Sequence, residues 1–123
     1  MWRRGFTVIE LLVVLAVIGL LLTIAAPRYV QHVDTAREVV LKQDLQQMRI
    51  AIDKFRADQS RNPATLEELV SKRYLRAIPE DPITGNATSW VVSAPGGGDT
   101  QSVADVHSGA TGQSRDGSSY AAW

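Results

Sequence analysis

A single carboxylate, Glu10, lies inside an otherwise apolar stretch, and its chemistry is the most informative in this sequence. Within residues 6–26 the only other polar side chains are Thr7 and Thr23. An acidic side chain costs about 2.5–3.5 kcal/mol at the centre of a membrane and less near its edge. Glu10 can therefore be a tolerated residue that snorkels to the interface, or its charge can have a specific partner.

The other reactive residue types do not form a catalytic or nucleic-acid-binding arrangement. The chain has no cysteine, which excludes disulfides, thiol catalysis and thiolate metal sites. His32 and His107 fall in different predicted elements, and neither a phosphate-binding glycine loop nor a nucleophile elbow is present. The 13 Lys and Arg balance 13 Asp and Glu, and Arg115 is the only basic residue after Arg76. We therefore expect neither an enzyme nor a nucleic-acid-binding protein.

Residues 6–26 are apolar on every side and long enough to cross a lipid bilayer. These 21 residues would rise about 31 Å as an α-helix, which matches a hydrocarbon core of about 30 Å. A secretory signal peptide would have a shorter apolar region and a cleavage site of small residues, and Thr23-Ile24-Ala25 fits that site poorly. The segment favours a membrane helix.

Gly19 and Pro27 bracket the second half of this apolar helix. Glycine weakens a helix by about 1 kcal/mol relative to alanine, and proline removes a hydrogen bond and clashes with the preceding turn. We expect a kink where the helix leaves the bilayer. A second interpretation is that residues 19–27 unwind when the chain is packed in an assembly.

Over residues 28–58 the apolar pattern narrows to one stripe with helical spacing. The stripe comprises Val30, Val33, Val40, Leu41, Leu45, Met48, Ile52 and Phe55. An amphipathic face of this kind needs a covering surface, which the C-terminal part of the chain can supply. The helix should end near Ser60, because Asn62-Pro63 disfavours its continuation.

The C-terminal part predicts a short helix and a hairpin. Thr65 and Glu68 have the spacing of a capping box, which predicts a helix over residues 65–73. A loop rich in turn-forming residues follows over residues 76–88. Two short strands then come at 89–93 and 102–108, joined by a Gly-rich turn at 96–99, with Trp90 and Val92 facing the long helix. The fold class predicted is α+β: a long N-terminal helix packed on a small antiparallel sheet.

Residues 3–14 read RRGFTVIELLVV, and this stretch resembles the cleavage and methylation motif of type IV pilins and type II secretion pseudopilins. The resemblance implies that a prepilin peptidase cuts after Gly5 and N-methylates Phe6. It also implies that Glu10 meets the cationic amine of Phe6 on an adjacent subunit and so sets the register of a filament. Removing either partner would leave a buried unpaired charge, at a cost of about 3–5 kcal/mol.

The resemblance divides the chain into a leader peptide at 1–5, a transmembrane and filament-core helix at 6–27, and a pilin-like periplasmic domain at 28–123. It implies a single-pass protein of the inner membrane with its C-terminal domain in the periplasm. Loss of the leader would leave 11 basic against 13 acidic side chains, since two of the 13 basic residues lie in it.

The C-terminal third is most similar to the major pseudopilins of type II secretion. Residues 75–86 resemble their Pro-x-Asp-Pro, Gly-Asn loop, and no cysteine is present for the disulfide that many pilins carry. The resemblance implies a calcium-binding loop, for which the oxygen donors here are Asp105, Ser108 and Asp116. The family's loop carries adjacent acidic residues where this chain has Ser118-Ser119. The alternative is that Asp116-Gly117 makes a turn.

The last residues have few apolar side chains to order them. Tyr120 and Trp123 are the candidate anchors of this tail, and a frayed end is the other interpretation.

The resemblance implies a structural subunit of a type II secretion pseudopilus. Its partners would be further copies of the chain, minor pseudopilins, the prepilin peptidase, the inner-membrane assembly platform and, before assembly, the lipid bilayer. Two alternatives stay open. One is a major or minor pilin of a type IV pilus, and the other is a membrane-anchored periplasmic adaptor that does not polymerise.

Overall fold

The computed structural model describes residues 5–97 and 102–123. The chain divides into two units, Met1–Asp34 and Thr35–Trp123. The elements are helix α1 (Val8–Gln59), helix α2 (Leu66–Ser71), strand β1 (Val91–Ser93) and strand β2 (Asp105–His107), with short 3-10 turns at Pro95–Gly97 and Tyr120–Ala122. The α+β prediction is confirmed.

The first unit is helical from Val8 onward, and none of its residues from 5 to 34 is buried. Every side chain from residue 5 to residue 32 is exposed. Within residues 5–97 and 102–123, α1 is the one helix that is long and apolar enough to span a membrane, and no part of its apolar window is buried within the chain. An exposed apolar surface of this size is typical of a segment that contacts lipid or other protein chains.

Helix α1 runs through both Gly19 and Pro27. Proline cannot donate the backbone hydrogen bond that Thr23 O would otherwise accept. One turn earlier, the Thr23 hydroxyl donates to the Leu20 carbonyl oxygen at 2.6 Å. The kink at these two residues stays a prediction.

The second unit is built on one face of α1. The buried side chains of that face are Leu41, Leu45, Met48, Ala51, Ile52 and Phe55. They pack with Leu66, Leu69, Trp90, Val103 and Val106 in one hydrophobic cluster. The predicted stripe is thus confirmed from Leu41 onward.

The upstream extension of the stripe is wrong at Val30 and Val40, which are exposed, whereas Val33 is half-buried. Val40 precedes Leu41 by one residue, which rotates its side chain about 100° away from the covered face. Ala51 was missed, although it lies three residues after Met48 on that face.

Helix α2 begins as its sequence predicts but is shorter. The Thr65 hydroxyl accepts the amide of Glu68 at 3.3 Å, so one arm of the capping box is confirmed. The Glu68 carboxylate reaches the amide of Ala64, at 2.6 Å, rather than that of Thr65. The helix ends at Ser71 because Arg73 adopts a left-handed backbone with φ of 64°.

The two strands pair antiparallel, as predicted, but each is only three residues long. Val92 faces Val106 in the register. Trp90 and Val106 are buried against α1, whereas Val91 is 52% exposed, which confirms the predicted facing of β1. The Trp90 indole donates to the Pro79 carbonyl at 2.8 Å and so ties the strand to the loop before it. Residues 98 and 99 of the connecting turn predicted at 96–99 lie outside the described residues.

Candidate processing and assembly site

The N-terminal site consists of a short non-helical segment followed at once by α1. Residues 5–7 precede the helix, and the Phe6 side chain is 84% exposed. The hydroxyl of Thr7 accepts the amide of Glu10 at 3.2 Å, and the Thr7 carbonyl accepts the amide of Leu11 at 3.1 Å. Thr7 therefore acts as the N-cap. Helix α1 begins at Val8, so the Gly5–Phe6 peptide bond lies outside the helix.

Glu10 lies in the first turn of α1 and is exposed. A carboxylate at this position is favoured by the unpaired amides and the positive end of the helix dipole. This local effect offsets part of the cost of a charge within the apolar segment. The structure thus places Glu10 one turn from Phe6, and it does not bring another charged side chain of the described chain against it.

Sequence reasoning missed the role of Thr7. The signal was present, since Thr7-Val8-Ile9-Glu10 has the Thr-x-x-Glu spacing of a capping box immediately before an apolar run.

Asp105, the first predicted calcium ligand, is engaged by a cation of the chain. Arg49 Nε lies 2.8 Å from Asp105 Oδ1, and Arg49 Nη2 donates to the Val106 carbonyl at 2.9 Å. Burial alone would raise the pKa of Asp105, but the hydrogen bonds from the Val106 amide and from Arg49 outweigh it and lower the pKa. The guanidinium thus fastens β2 to α1.

Ser108, the second predicted ligand, is completely buried and is hydrogen-bonded to Asp81. Its hydroxyl donates to Asp81 Oδ2 and accepts the amide of Ala110 at 3.1 Å. Asp81 is itself fully buried, and its Oδ1 accepts the amide of Ile83 at 2.8 Å. The pair therefore joins the Pro-rich loop to the segment after β2.

Asp81 is the acid of the Pro-x-Asp-Pro sequence in the loop at 75–86, but no buried role is predicted for it from the sequence. Its charge also acts on Asp44 of α1. The pKa of Asp44 is raised mainly by its partial burial and to a smaller extent by the charge of Asp81.

Asp116, the third predicted ligand, caps a turn. Its Oδ1 accepts the hydroxyl of Ser114, and the amide and hydroxyl of Ser118 at 2.9 and 2.6 Å. These hydrogen bonds hold the pKa of Asp116 well below its usual range, and the one from Ser114 has the largest effect. Gly117 has a φ of 87° and donates to the Ser114 carbonyl. The turn proposed for Asp116-Gly117 is therefore confirmed.

The three groups do not fit a shared calcium site. Calcium takes six to eight oxygens, usually including several carboxylates. Here Asp105 faces a guanidinium, Ser108 gives its proton to Asp81, and Asp116 is occupied by its own turn. Among the described residues, no three His, Cys, Asp or Glu side chains are grouped as a metal site requires.

Comparison with known proteins agrees with the N-terminal site. Residues 3–26 match the family model described as the prokaryotic N-terminal methylation motif. This match spans Gly5, Phe6, Thr7 and Glu10. The fold and the site together define a prepilin-type protein with an apolar N-terminal helix and a small α+β domain.

Relatives of known name extend the likeness beyond this motif. The type II secretion system core protein G of Pseudomonas aeruginosa is 32% identical, over 76% of this chain and 75% of its own length. That of Klebsiella michiganensis is 29% identical, over 68% and 70%. The type IV major fimbrial protein FimA of Dichelobacter nodosus is 39% identical, but over only 42% of this chain and 33% of its own. No solved structure matches. The chain belongs to the family of type II secretion system core protein G.

Proposed function

We propose that this chain is a structural subunit of a type II secretion pseudopilus. A prepilin peptidase cuts it after Gly5 and methylates Phe6, and the mature chain then polymerises from the inner membrane into the periplasm. Minor pseudopilins and an inner-membrane assembly platform are its further partners. The single observation that carries the proposal is a processing motif placed directly before a long apolar helix that the chain itself leaves uncovered.

The local geometry suits the processing step. A protease binds an extended backbone, and the bond to be cut lies in the non-helical residues 5–7. The Thr7 cap keeps the helix from extending over this bond. Gly5 presents no side chain, so the backbone before the bond can approach a narrow cleft closely.

The exposed apolar helix supplies the driving force for assembly. In the membrane, lipid covers residues 6–26, and in the filament the helices of neighbouring subunits replace the lipid. Inside such a bundle, Glu10 and the amine of Phe6 on an adjacent copy neutralise each other. A shift of register would separate them and leave two unpaired charges, so the pair specifies the register as well as the contact.

The test is assembly in a bacterium whose type II secretion apparatus lacks its own core G subunit. The chain contains no cysteine. When cysteines are introduced in pairs along residues 6–26, a disulfide between two copies can therefore form only at the chosen positions. We expect ladders of cross-linked multimers from the wild-type chain. Glu10→Ala should remain in the membrane and lose the ladder.

Asp34→Ala is the matched control, because Asp34 is an exposed carboxylate on the same helix but beyond the apolar segment. It should cross-link like the wild type. A wild-type chain that stays monomeric, or a Glu10→Ala chain that forms full ladders, would contradict the proposal. Long surface fibres without any rescue of secretion would instead indicate a type IV pilin.

A further inference from the structure

The C-terminal segment, residues 108–123, has few apolar side chains but is well attached to the second unit. The resemblance implies that a calcium ion would order such a segment. The residues present do not fit that ion, so other contacts must hold the segment in place.

The first set of contacts closes the segment on itself. The amide of Ser114 donates to the Ser118 carbonyl at 2.7 Å, and Gln113 bridges Ser119. The exposed Asp116 carboxylate closes this loop, because its Oδ1 accepts hydrogen bonds from Ser114 and Ser118. Three hydroxyl and amide hydrogens thus occupy one of the two carboxylate oxygens that a cation would use.

The second set fastens this loop to α1 through Glu38. Glu38 Oε1 accepts the amide of Arg115 at 3.1 Å and the hydroxyl of Tyr120 at 2.9 Å. The Arg115 guanidinium also donates to the hydroxyl of Thr35, one turn earlier on the same helix. One carboxylate of α1 therefore holds two points of the segment that are five residues apart.

The third set fixes the end of the segment through Trp123. Lys42 Nζ lies 4.5 Å from the centre of the indole ring, and the ring of Tyr120 packs edge-on against it at 5.2 Å. The indole nitrogen donates to Ser118 Oγ at 2.8 Å, and the Trp123 carbonyl contacts His107 Nδ1 at 2.6 Å. Both predicted anchors of the tail, Tyr120 and Trp123, are therefore confirmed.

Two of the three predicted ligands also lie near a cation of the chain. The pKa of Asp116 is lowered first by its hydrogen bonds from Ser114 and Ser118 and then by the charge of Lys42. Asp105 forms an ion pair with Arg49. A divalent ion at Asp105 would meet the guanidinium of Arg49, and like charges at short range repel.

We infer that residues 108–123 are held by a latch of the chain's own side chains, centred on Glu38 and Asp116, so that the order of this segment does not depend on a divalent cation. The inference concerns the second unit alone. It stands whether or not the chain polymerises, and its test is independent of the filament assay.

The test is thermal unfolding of the full chain in detergent micelles, followed by tryptophan fluorescence in calcium chloride and in a chelator. Trp123 reports on the latch directly, since its ring and its indole nitrogen are both part of it. We expect the same Tm in both solutions and no heat of calcium binding by calorimetry. A Tm that rises with calcium and falls with chelator would overturn the inference.

Variants test the latch itself. Glu38→Ala removes the acceptor of two hydrogen bonds and should lower the Tm by roughly 4–12 °C in either solution. Asp34→Ala, one turn earlier on α1 and exposed, should leave it unchanged. Tyr120→Phe deletes only one hydroxyl, so it should fold and show a smaller fall. Variants with the wild-type Tm would overturn the inference, as would an Asp116→Asn chain that loses a calcium response seen in the wild type.

Discussion

Arg49→Ala should lower the free energy of unfolding by about 1.5 kcal/mol. The ion pair with Asp105 joins side chains that are 37% and 43% exposed, so solvent screening limits it to roughly 0.5 kcal/mol. The hydrogen bond from the guanidinium to the Val106 carbonyl adds about 1 kcal/mol. For a unit of 89 residues (123 − 34), each kcal/mol corresponds to about 4–8 °C in Tm. We therefore expect the Tm to fall by about 6–12 °C.

Chemical denaturation of the full chain in detergent, monitored by tryptophan fluorescence, measures this change. Arg49→Lys keeps the charge but cannot bond both acceptors, so it should lose about half as much. Arg56→Ala is the matched control, because Arg56 pairs with Asp53 on the same helix and both are largely exposed. It should cost less than about 0.5 kcal/mol.

The pH dependence gives a second check with a definite sign. The pKa of Asp105 is lowered in the folded state, so its stabilisation is present above the unfolded pKa of about 3.9 and is lost as the pH falls through the folded pKa. The difference between wild type and Arg49→Ala should therefore shrink in acid. An Arg49→Ala chain as stable as the wild type at neutral pH, or a difference that grows in acid, would refute the reasoning.

Three further predictions concern the helix ends and a half-buried acid. Glu68→Ala removes the acceptor for Arg61 and for the Ala64 amide. The free energy of unfolding measured in urea should fall by about 1–2 kcal/mol. An unchanged free energy would count against this cap. Asp44→Asn should raise stability at neutral pH, because burial and then Asp81 raise the pKa of Asp44. That gain should vanish below about pH 4, where Asp44 is protonated in both states, and a loss of stability at neutral pH would contradict it. Thr7→Ala should destabilise the first turn of α1 by about 1 kcal/mol, because the Glu10 amide loses its acceptor. Hydrogen exchange at that amide should become about fivefold faster. Unchanged exchange would argue against the cap.

The elements defined by local pattern could be predicted from the sequence. The spacing of Leu41, Leu45 and Met48 defines a helix face, and Thr65 with Glu68 marks a helix start. Alternation about Trp90 defines the buried face of β1. Each of these patterns depends on a few neighbouring residues, so no knowledge of the tertiary structure is needed.

The partners of polar side chains could not be predicted in the same way. Arg49 and Asp105 are 56 residues apart, and Glu38 and Tyr120 are 82 apart. A carboxylate in a Gly- and Ser-rich loop looks the same in a sequence whether it binds calcium or a guanidinium. Only the fold brings α1 against β2 and against residues 108–123. The acidic side chains then pair with cations and hydroxyls of the same chain.

The proposed function requires that the chain is processed as a prepilin before it enters a filament. The most direct test is mass spectrometry of the N-terminal peptide, on chain purified from a host that has a prepilin peptidase and a type II secretion apparatus. We expect a mature chain of 118 residues (123 − 5) that begins at N-methylated Phe6. A chain that keeps residues 1–5, or one that is cut near Ala25, would contradict it.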